Sequence, residues 1–331
     1  MADYALYGGL GSPYSMKMRA LLRYRRIPHR WITHNRPEVM APLFARVKAP
    51  VIPVLTFPDG MVMNDSTPLI YELERRHADR SVVPTDEAHS FLALLLEDFA
   101  DEWGTKAMFH YRWDAERDQQ QMSRWLAFDR LHGQGRPAIE AAAEVFRARQ
   151  VGRMALVGCT LQNAPMIEAS AQAVMGALDG LATEGDYLFG GRPSLADFAW
   201  FGQLSQLATD PTPYDLMRDE APYLMRWLVN LDDASGVEGE WGEPAQATSA
   251  LLNLACELYL PFLAANAEAA AEGRAEFTVE ALGHRYSQAP FRYQVKCLAE
   301  LTAAYSRLSA DARARVDGTL SQASVAILAA A

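Results

Sequence analysis

The stretch Leu6-Tyr7-Gly8-Gly9-Leu10-Gly11-Ser12-Pro13-Tyr14-Ser15-Met16-Lys17 leaves the chain few ways to fold. Tyr4 to Tyr7 reads as a short apolar strand that runs into a glycine-bearing loop. The loop ends at Ser12. Pro13 follows at a position suited to the first turn of a helix, whose leading N–H groups have no internal partner in any case. Met16, Met18, Leu21 and Leu22 then recur at roughly helical spacing. Ser12 therefore falls where backbone N–H groups and the positive end of a helix dipole converge. Such a place stabilises an anion, a thiolate included. A serine before a helix also serves as a plain N-cap, which is the commoner reason for finding one there.

The next elements follow from the same kind of punctuation. His29 to Thr33 reads as a second strand, and strand–helix–strand order implies a parallel pair with a right-handed crossover. Pro37 to Val47 reads as an irregular helix broken near Pro42. In Val51-Ile52-Pro53-Val54-Leu55-Thr56 a proline interrupts a β-branched run, although proline cannot donate to a sheet ladder. A cis Ile52–Pro53 bond at the start of the strand resolves this and leaves the Ile52 N–H and C=O to face a ligand. Phe57-Pro58-Asp59-Gly60 is a turn and Met61 to Asn64 the returning strand. Asn64-Asp65-Ser66-Thr67-Pro68 opens a helix over Leu69 to His77. Residues 1–82 thus read as an α/β domain, βαβ–α–ββα.

From Pro84 the periodicity turns helical. A long helix runs from Glu87 to about Trp113, followed by helices over Glu116 to Leu131, Pro137 to Met154 and Pro165 to Ala182. Ser194-Leu195-Ala196-Asp197 is a capping box at the head of an almost wholly apolar, hence buried, helix ending at Leu207. Ala221 to Leu231 is one more helix, so 85–232 reads as all-helical. Beyond the linker Ser235 to Pro244, residues 245–331 form a mostly helical extension. In it Pro261 should kink a helix over Thr248 to Glu272, and Phe277 to Tyr286 suggests a small hairpin turning at Gly283.

Composition narrows the function classes. A formal net charge of −10 disfavours nonspecific nucleic-acid binding, and no basic cluster interleaved with aromatics argues otherwise. No signal peptide and no membrane-spanning run are expected, the acidic start passing straight into a strand. Cys159, Cys256 and Cys297 lie far apart, which suits a reducing cytoplasm and offers no zinc or disulfide framework. The seven histidines are scattered without a metal motif, and Gly8-Gly9-Leu10-Gly11 lacks dinucleotide-binding spacing.

Three motifs resemble parts of known families. Ser12-Pro13-Tyr14-Ser15 resembles the Cys-Pro-Tyr-Cys of glutaredoxins with both sulfurs replaced by oxygen. Val51 to Leu55 resembles the cis-proline strand of glutathione transferases, and Asn64-Asp65-Ser66 resembles their acidic–serine pair. The Ser194–Asp197 box looks like the folding motif of their helical domain. Residues 1–232 are thereby identified as resembling a serine-type member of the glutathione S-transferase superfamily, and the tail resembles that of long bacterial members. The resemblance implies a thioredoxin-like amino-terminal domain, an all-α carboxy-terminal domain, glutathione as co-substrate, a cytoplasmic homodimer and a role in detoxification.

The implied chemistry is attack of glutathione thiolate on a small hydrophobic electrophile. Ser12 falls at the position of the catalytic serine, with Tyr7 the alternative, as in tyrosine-type members. Ile52 beside Pro53 would pair with the cysteinyl backbone, Ser66 would hold the γ-glutamyl carboxylate, Asp65 its ammonium, and Lys48 the glycyl carboxylate. Tyr14, Phe109, His110 and Trp113 are candidates for the walls around glutathione and the electrophile, although aromatics at helical spacing serve equally as core. With no cysteine at 12 or 15, no mixed disulfide can form there. Two other readings stay open: a non-catalytic binding or assembly module, and glutathione-dependent isomerisation, dehalogenation or peroxide reduction.

Overall fold

A computed structural model describes residues 3–33 and 36–330. Met1, Ala2 and Ala331, the outermost residues of the expected domains, lie outside them. The first elements are β1 (Tyr4–Tyr7), α1 (Pro13–Tyr24), β2 (His29–Ile32), α2 (Pro37–Phe44), β3 (Val54–Thr56), β4 (Val62–Asn64) and α3 (Ser66–Arg76). Helices α4 (Glu87–Phe99), α5 (Thr105–Asp114), α6 (Glu116–Leu131), α7 (Arg136–Val151) and α8 (Ala164–Glu184) follow. Next come α9 (Leu195–Leu207), α10 (Pro211–Glu220), α11 (Pro222–Asp232), α12 (Gln246–Leu254) and α13 (Leu260–Glu272). A hairpin of β5 (Phe277–Ala281) and β6 (His284–Gln288) precedes α14 (Arg292–Ser306), α15 (Ala310–Thr319) and α16 (Gln322–Ala329). The expected α/β start, helical middle and helical extension are all present.

The chain divides into two compact units. One comprises Met1–Val82, Tyr111–Gly152 and Phe198–Glu238; the other comprises Val83–His110, Arg153–Asp197 and Gly239–Ala331. In the first unit the sheet order is β2-β1-β3-β4. β1 and β2 are parallel, β1 and β3 antiparallel, β3 and β4 antiparallel. One register row crosses the sheet as Ile32, Tyr7, Val54 and Asn64. The Ile52–Pro53 bond is cis, and the ladder begins only at Val54. Helix α9 comes so close to the start of α1 that a Cβ on Gly202 would lie 2.6 Å from the Pro13 carbonyl oxygen, which requires glycine there.

The second unit is built on a buried capping box. Asp197 accepts hydrogen bonds from Ser194 N (2.8 Å), Ser194 Oγ (2.6 Å) and Leu188 N (3.0 Å). The extension joins here: Gly191 N donates to Glu240 O, Gly242 N to Phe189 O, and Ala245 N to Leu188 O. Tyr286 and Gln288 of β6 meet the buried Lys106. Its ammonium donates to Gln288 Oε1 (2.9 Å) and Val157 O (3.1 Å) and sits 5.4 Å from the Tyr286 ring centre. Two interruptions differ from the sequence reading. Residues Ala100–Gly104 form a π-helical turn inside the long helix expected to be continuous. The break expected at Pro261 is a second π-turn, Ala255–Tyr259, because proline has no N–H to close the preceding α-turn. Residues Gln246–Glu272, read with that turn as one helix, are long and apolar enough to cross a membrane, but 61% of the most apolar window is buried.

Two half-buried carboxyls, Asp98 and Glu102, stand beside and within the first π-turn. Asp98 accepts from Tyr259 Oη (2.5 Å), yet burial pushes it up to about 7; burial and the neighbouring Asp98 and Asp101 push Glu102 up to about 8. Protons are therefore held more tightly in the folded chain than in the unfolded one. This stability is fully present below the unfolded carboxyl pKa of about 4 and is lost as pH rises through about 8. Lys106, depressed to about 8 by burial, acts in the opposite sense above that pH, so the informative window lies below it. Thermal melts across this window should show a midpoint falling by on the order of 5 °C, a fall reduced in Glu102→Gln.

Candidate functional site

The sheet register gathers the candidate residues of the first domain along one edge. β1 ends at Tyr7, β3 begins after Pro53 and β4 ends at Asn64, and Tyr7, Val54 and Asn64 share one row. The loop carrying Ser12, the Ile52–Pro53 bond and the Asp65–Ser66 pair therefore leave the same end of the sheet. The Asn64 side chain ties two of them together by donating to Ala49 O (2.7 Å) and Val51 O (3.3 Å) in the segment that leads into Ile52.

Ser12 is the N-cap of α1, with extended backbone and an Oγ that accepts from Ser15 N at 3.3 Å. Its N–H donates to Gly9 O at 3.1 Å, and it remains half-buried. The capping role occupies a lone pair and leaves the hydroxyl proton for another acceptor. Gly8 is forced by crowding: a Cβ there would lie 2.7 Å from both Ser15 Oγ and the Trp31 ring. Tyr7 is half-buried at the end of β1, and Tyr14 is half-buried in the first turn of α1.

Asp65 precedes α3 with φ +75°, ψ 117°, a region that non-glycine residues rarely adopt and that costs about 1–3 kcal/mol. Ser66, 3% exposed, opens the helix. Lys17 was not anticipated. It is fully buried on α1, and its Nζ donates to Ser66 Oγ at 3.4 Å, so one cation bridges the helix that Ser12 starts and the helix that Ser66 starts. Its signal was positional: Lys17 follows Pro13 and precedes Leu21 at helical spacing, on the face that is buried. Met16, one of the apolar positions at helical spacing, lines a cavity.

That cavity, of about 1000 Å³, lies within the first unit. Leu10, Gly11 and Met16 form one wall, Trp125 and Leu126 another, and Gln206 a third. Leu10 and Trp125 are exposed, and Arg19, Asp129 and Arg218 add charge to a mainly apolar lining. A second unanticipated group adjoins it. Arg112, 3% exposed, donates through Nε to Asp210 Oδ2 (2.8 Å), through Nη2 to Gln206 Oε1 (2.8 Å) and through Nη1 to Gly11 O (2.7 Å). Gln206 Nε2 donates in turn to Leu10 O at 3.2 Å. Burial pushes Asp210 up despite its arginine partner.

The remaining candidates have surroundings of their own. Lys48 is exposed in the segment between α2 and β3. Trp113 is 1% exposed and packs on Phe146 in the core of the first unit, so it does not line the cavity. Phe109 and His110 belong to the second unit, where His110 pairs with Glu168 at 2.8 Å. All three cysteines lie there too; Cys159 and Cys297 are buried, and burial pushes the Cys297 thiol up. Among the described residues no group of three or more histidine, cysteine or acidic side chains could hold a metal ion.

A four-stranded mixed sheet entered through a cis-proline strand, followed by a helical region with a buried Ser–Asp capping box, defines a glutathione-transferase architecture. Residues 6–81 match the glutathione S-transferase amino-terminal domain, and residues 137–229 match its carboxy-terminal domain. The chain belongs to the glutathione S-transferase superfamily. Similar solved structures include a glutathione S-transferase from Methylobacterium radiotolerans in complex with glutathione sulfonate. It is 18% identical, with 74% of this chain and 97% of that one covered and a TM-score of 0.43. The β-etherase LigF from Sphingobium is 17% identical, covering 71% and 98%, with a TM-score of 0.45. FzlA from C. crescentus is 17% identical, covering 76% and 99%, with a TM-score of 0.44. No curated protein matches the chain in sequence.

Proposed function

We propose that the protein is a glutathione transferase that stabilises glutathione thiolate at Ser12 for attack on a small apolar electrophile. The observation that carries this reading is the row Tyr7, Val54, Asn64, with Lys17 joining the two helices at its end. It supports one tripeptide-sized place with distinct ends. The γ-glutamyl carboxylate would sit at the start of α3 on Ser66, where a helix's first N–H groups lack a partner within the helix and the dipole favours an anion. Its ammonium would pair with Asp65. The cysteinyl backbone would pair with Ile52 beside Pro53, and Lys48 would meet the glycyl carboxylate.

The thiol then falls at the start of α1. Free glutathione is mostly thiol at neutral pH. A donor fixed at a helix N-terminus lowers that pKa without any covalent intermediate, and holding the electrophile nearby supplies the rest. Ser12 fits this role better than Tyr7, because its place adds the helix dipole. The cavity bounded by Leu10, Gly11 and Met16 adjoins this point and suits a flat apolar partner.

Binding is tested apart from chemistry by calorimetry with glutathione. Asp65→Asn keeps the side-chain shape, tolerates positive φ and removes the charge. It should weaken glutathione binding about 10-fold or more, the worth of one charge-assisted hydrogen bond. Equal affinity in wild type and Asp65→Asn would sink the assignment of the γ-glutamyl end.

A further inference from the structure

We propose that Arg112 and Gln206 are positioning residues that set the thiolate-stabilising geometry of Ser12 by gripping the two carbonyls before it. The inference rests on the Ser12 reading above. The Leu10 and Gly11 carbonyls accept from Gln206 Nε2 and Arg112 Nη1, so the backbone entering Ser12 is held at two successive peptide units. The donors are themselves fixed. Asp210 takes two bonds from the guanidinium, at 2.8 and 3.4 Å, and Gln206 Oε1 takes a third. A guanidinium is always charged and its fork is planar, so Asp210 and Gln206 fix its plane and with it the direction of Nη1.

The loop's other holds are at its two ends: Gly8 N donates to Ile32 O and Ser12 Oγ accepts from Ser15 N. Leu10 is exposed, and Ser12 N–H bonds only back to Gly9 within the same loop. Gly11 is wedged against Leu126: a Cβ there would lie 2.6 Å from Leu126 Cδ2. The loop is thus held by Arg112 and Gln206 where it forms part of the cavity lining. Leu10, Gly11, Leu126 and Gln206 all line the cavity, so the groups that place Ser12 are also groups a second substrate would touch. A displacement of about 1 Å at a reacting group is enough to cost two orders of magnitude in rate, so a slack loop is a catalytic defect even where glutathione still binds.

The test uses two variants of the full chain. Gln206→Leu removes the Leu10 bond. Arg112→Met combined with Asp210→Leu removes the Gly11 bond without leaving a lone buried charge, so that folding is preserved. With a model aryl halide as electrophile, each should lower kcat about 10-fold or more while glutathione affinity by calorimetry stays within about twofold. The pKa of the bound glutathione thiol should rise toward that of free glutathione. A group that only stabilised the fold would lower the melting temperature and leave both readouts unchanged in the folded fraction; that outcome overturns the inference. Ser12→Ala, run alongside, separates the two claims. Lost activity in Ser12→Ala with unchanged kcat and thiol pKa in the gripping variants defeats this inference alone. Undiminished activity in Ser12→Ala defeats both.

Discussion

Replacing Ser12 with alanine is expected to lower kcat/KM for conjugation by about 10²–10³-fold, the usual cost of removing one preorganised donor to a developing anion. The Ser12 hydroxyl spends a lone pair on Ser15 N and keeps its proton, so the capping bond and a thiolate bond are compatible. The helix dipole survives the substitution, which leaves residual rate above the uncatalysed reaction. Loss of the cap costs about 1 kcal/mol of stability, too little to unfold the chain. Steady-state kinetics with calorimetric glutathione affinity check this: kcat should fall and affinity should hold. Tyr7→Phe should stay within about threefold of wild type. The reverse pattern would transfer the donor role to Tyr7, which ends the strand one loop earlier.

Asp197→Ala should have the largest effect on stability. Its carboxyl is fully buried and satisfies two backbone N–H groups and one hydroxyl. Burial raises it to about 6 even so, which shows how strongly the charge is desolvated. Removing it orphans Leu188 N and Ser194 N at about 1–3 kcal/mol each, a loss on the order of 4 kcal/mol. That is a large part of the 5–15 kcal/mol that typically holds a protein folded. The damage also reaches the extension, because Leu188 O accepts from Ala245 N and from Thr248 Oγ1. Urea denaturation should show a lower midpoint, and Asp197→Asn, which keeps one acceptor oxygen, should fall between wild type and alanine. Wild-type stability in Asp197→Ala would remove the box from the account of folding.

Much of the first domain was legible because its signals are local. A proline inside a β-branched run has few ways to be accommodated, and Pro53 adopts the cis bond at the strand entry. Ser12-Pro13 and Asp65-Ser66 announce helix starts through backbone chemistry, and both helices begin there. The groups that were not legible depend on distant partners. Lys17 looks like one more charge on a basic helix until Ser66 is found beside it. Arg112 owes its role to Asp210 and Gln206, far along the chain, and no spacing near Arg112 signals them. Trp113, a pocket candidate, enters the core, and Met16 lines the cavity, because helical periodicity fixes a face but not what covers it. The π-turns have the same origin: Pro261 marked a break, and only packing decided that it would be a widened turn.

The central claim is that the start of α1, through Ser12, holds glutathione as thiolate. The most direct measurement is the pH titration of the ultraviolet absorbance of thiolate in glutathione bound to the wild-type chain and to Ser12→Ala. The account predicts a bound thiol in the wild type titrating at least one unit below the ordinary thiol value of about 8.5, and a return toward that value in Ser12→Ala. A bound thiol that keeps its ordinary pKa in the wild type, or a lowered pKa that survives in Ser12→Ala, would contradict it.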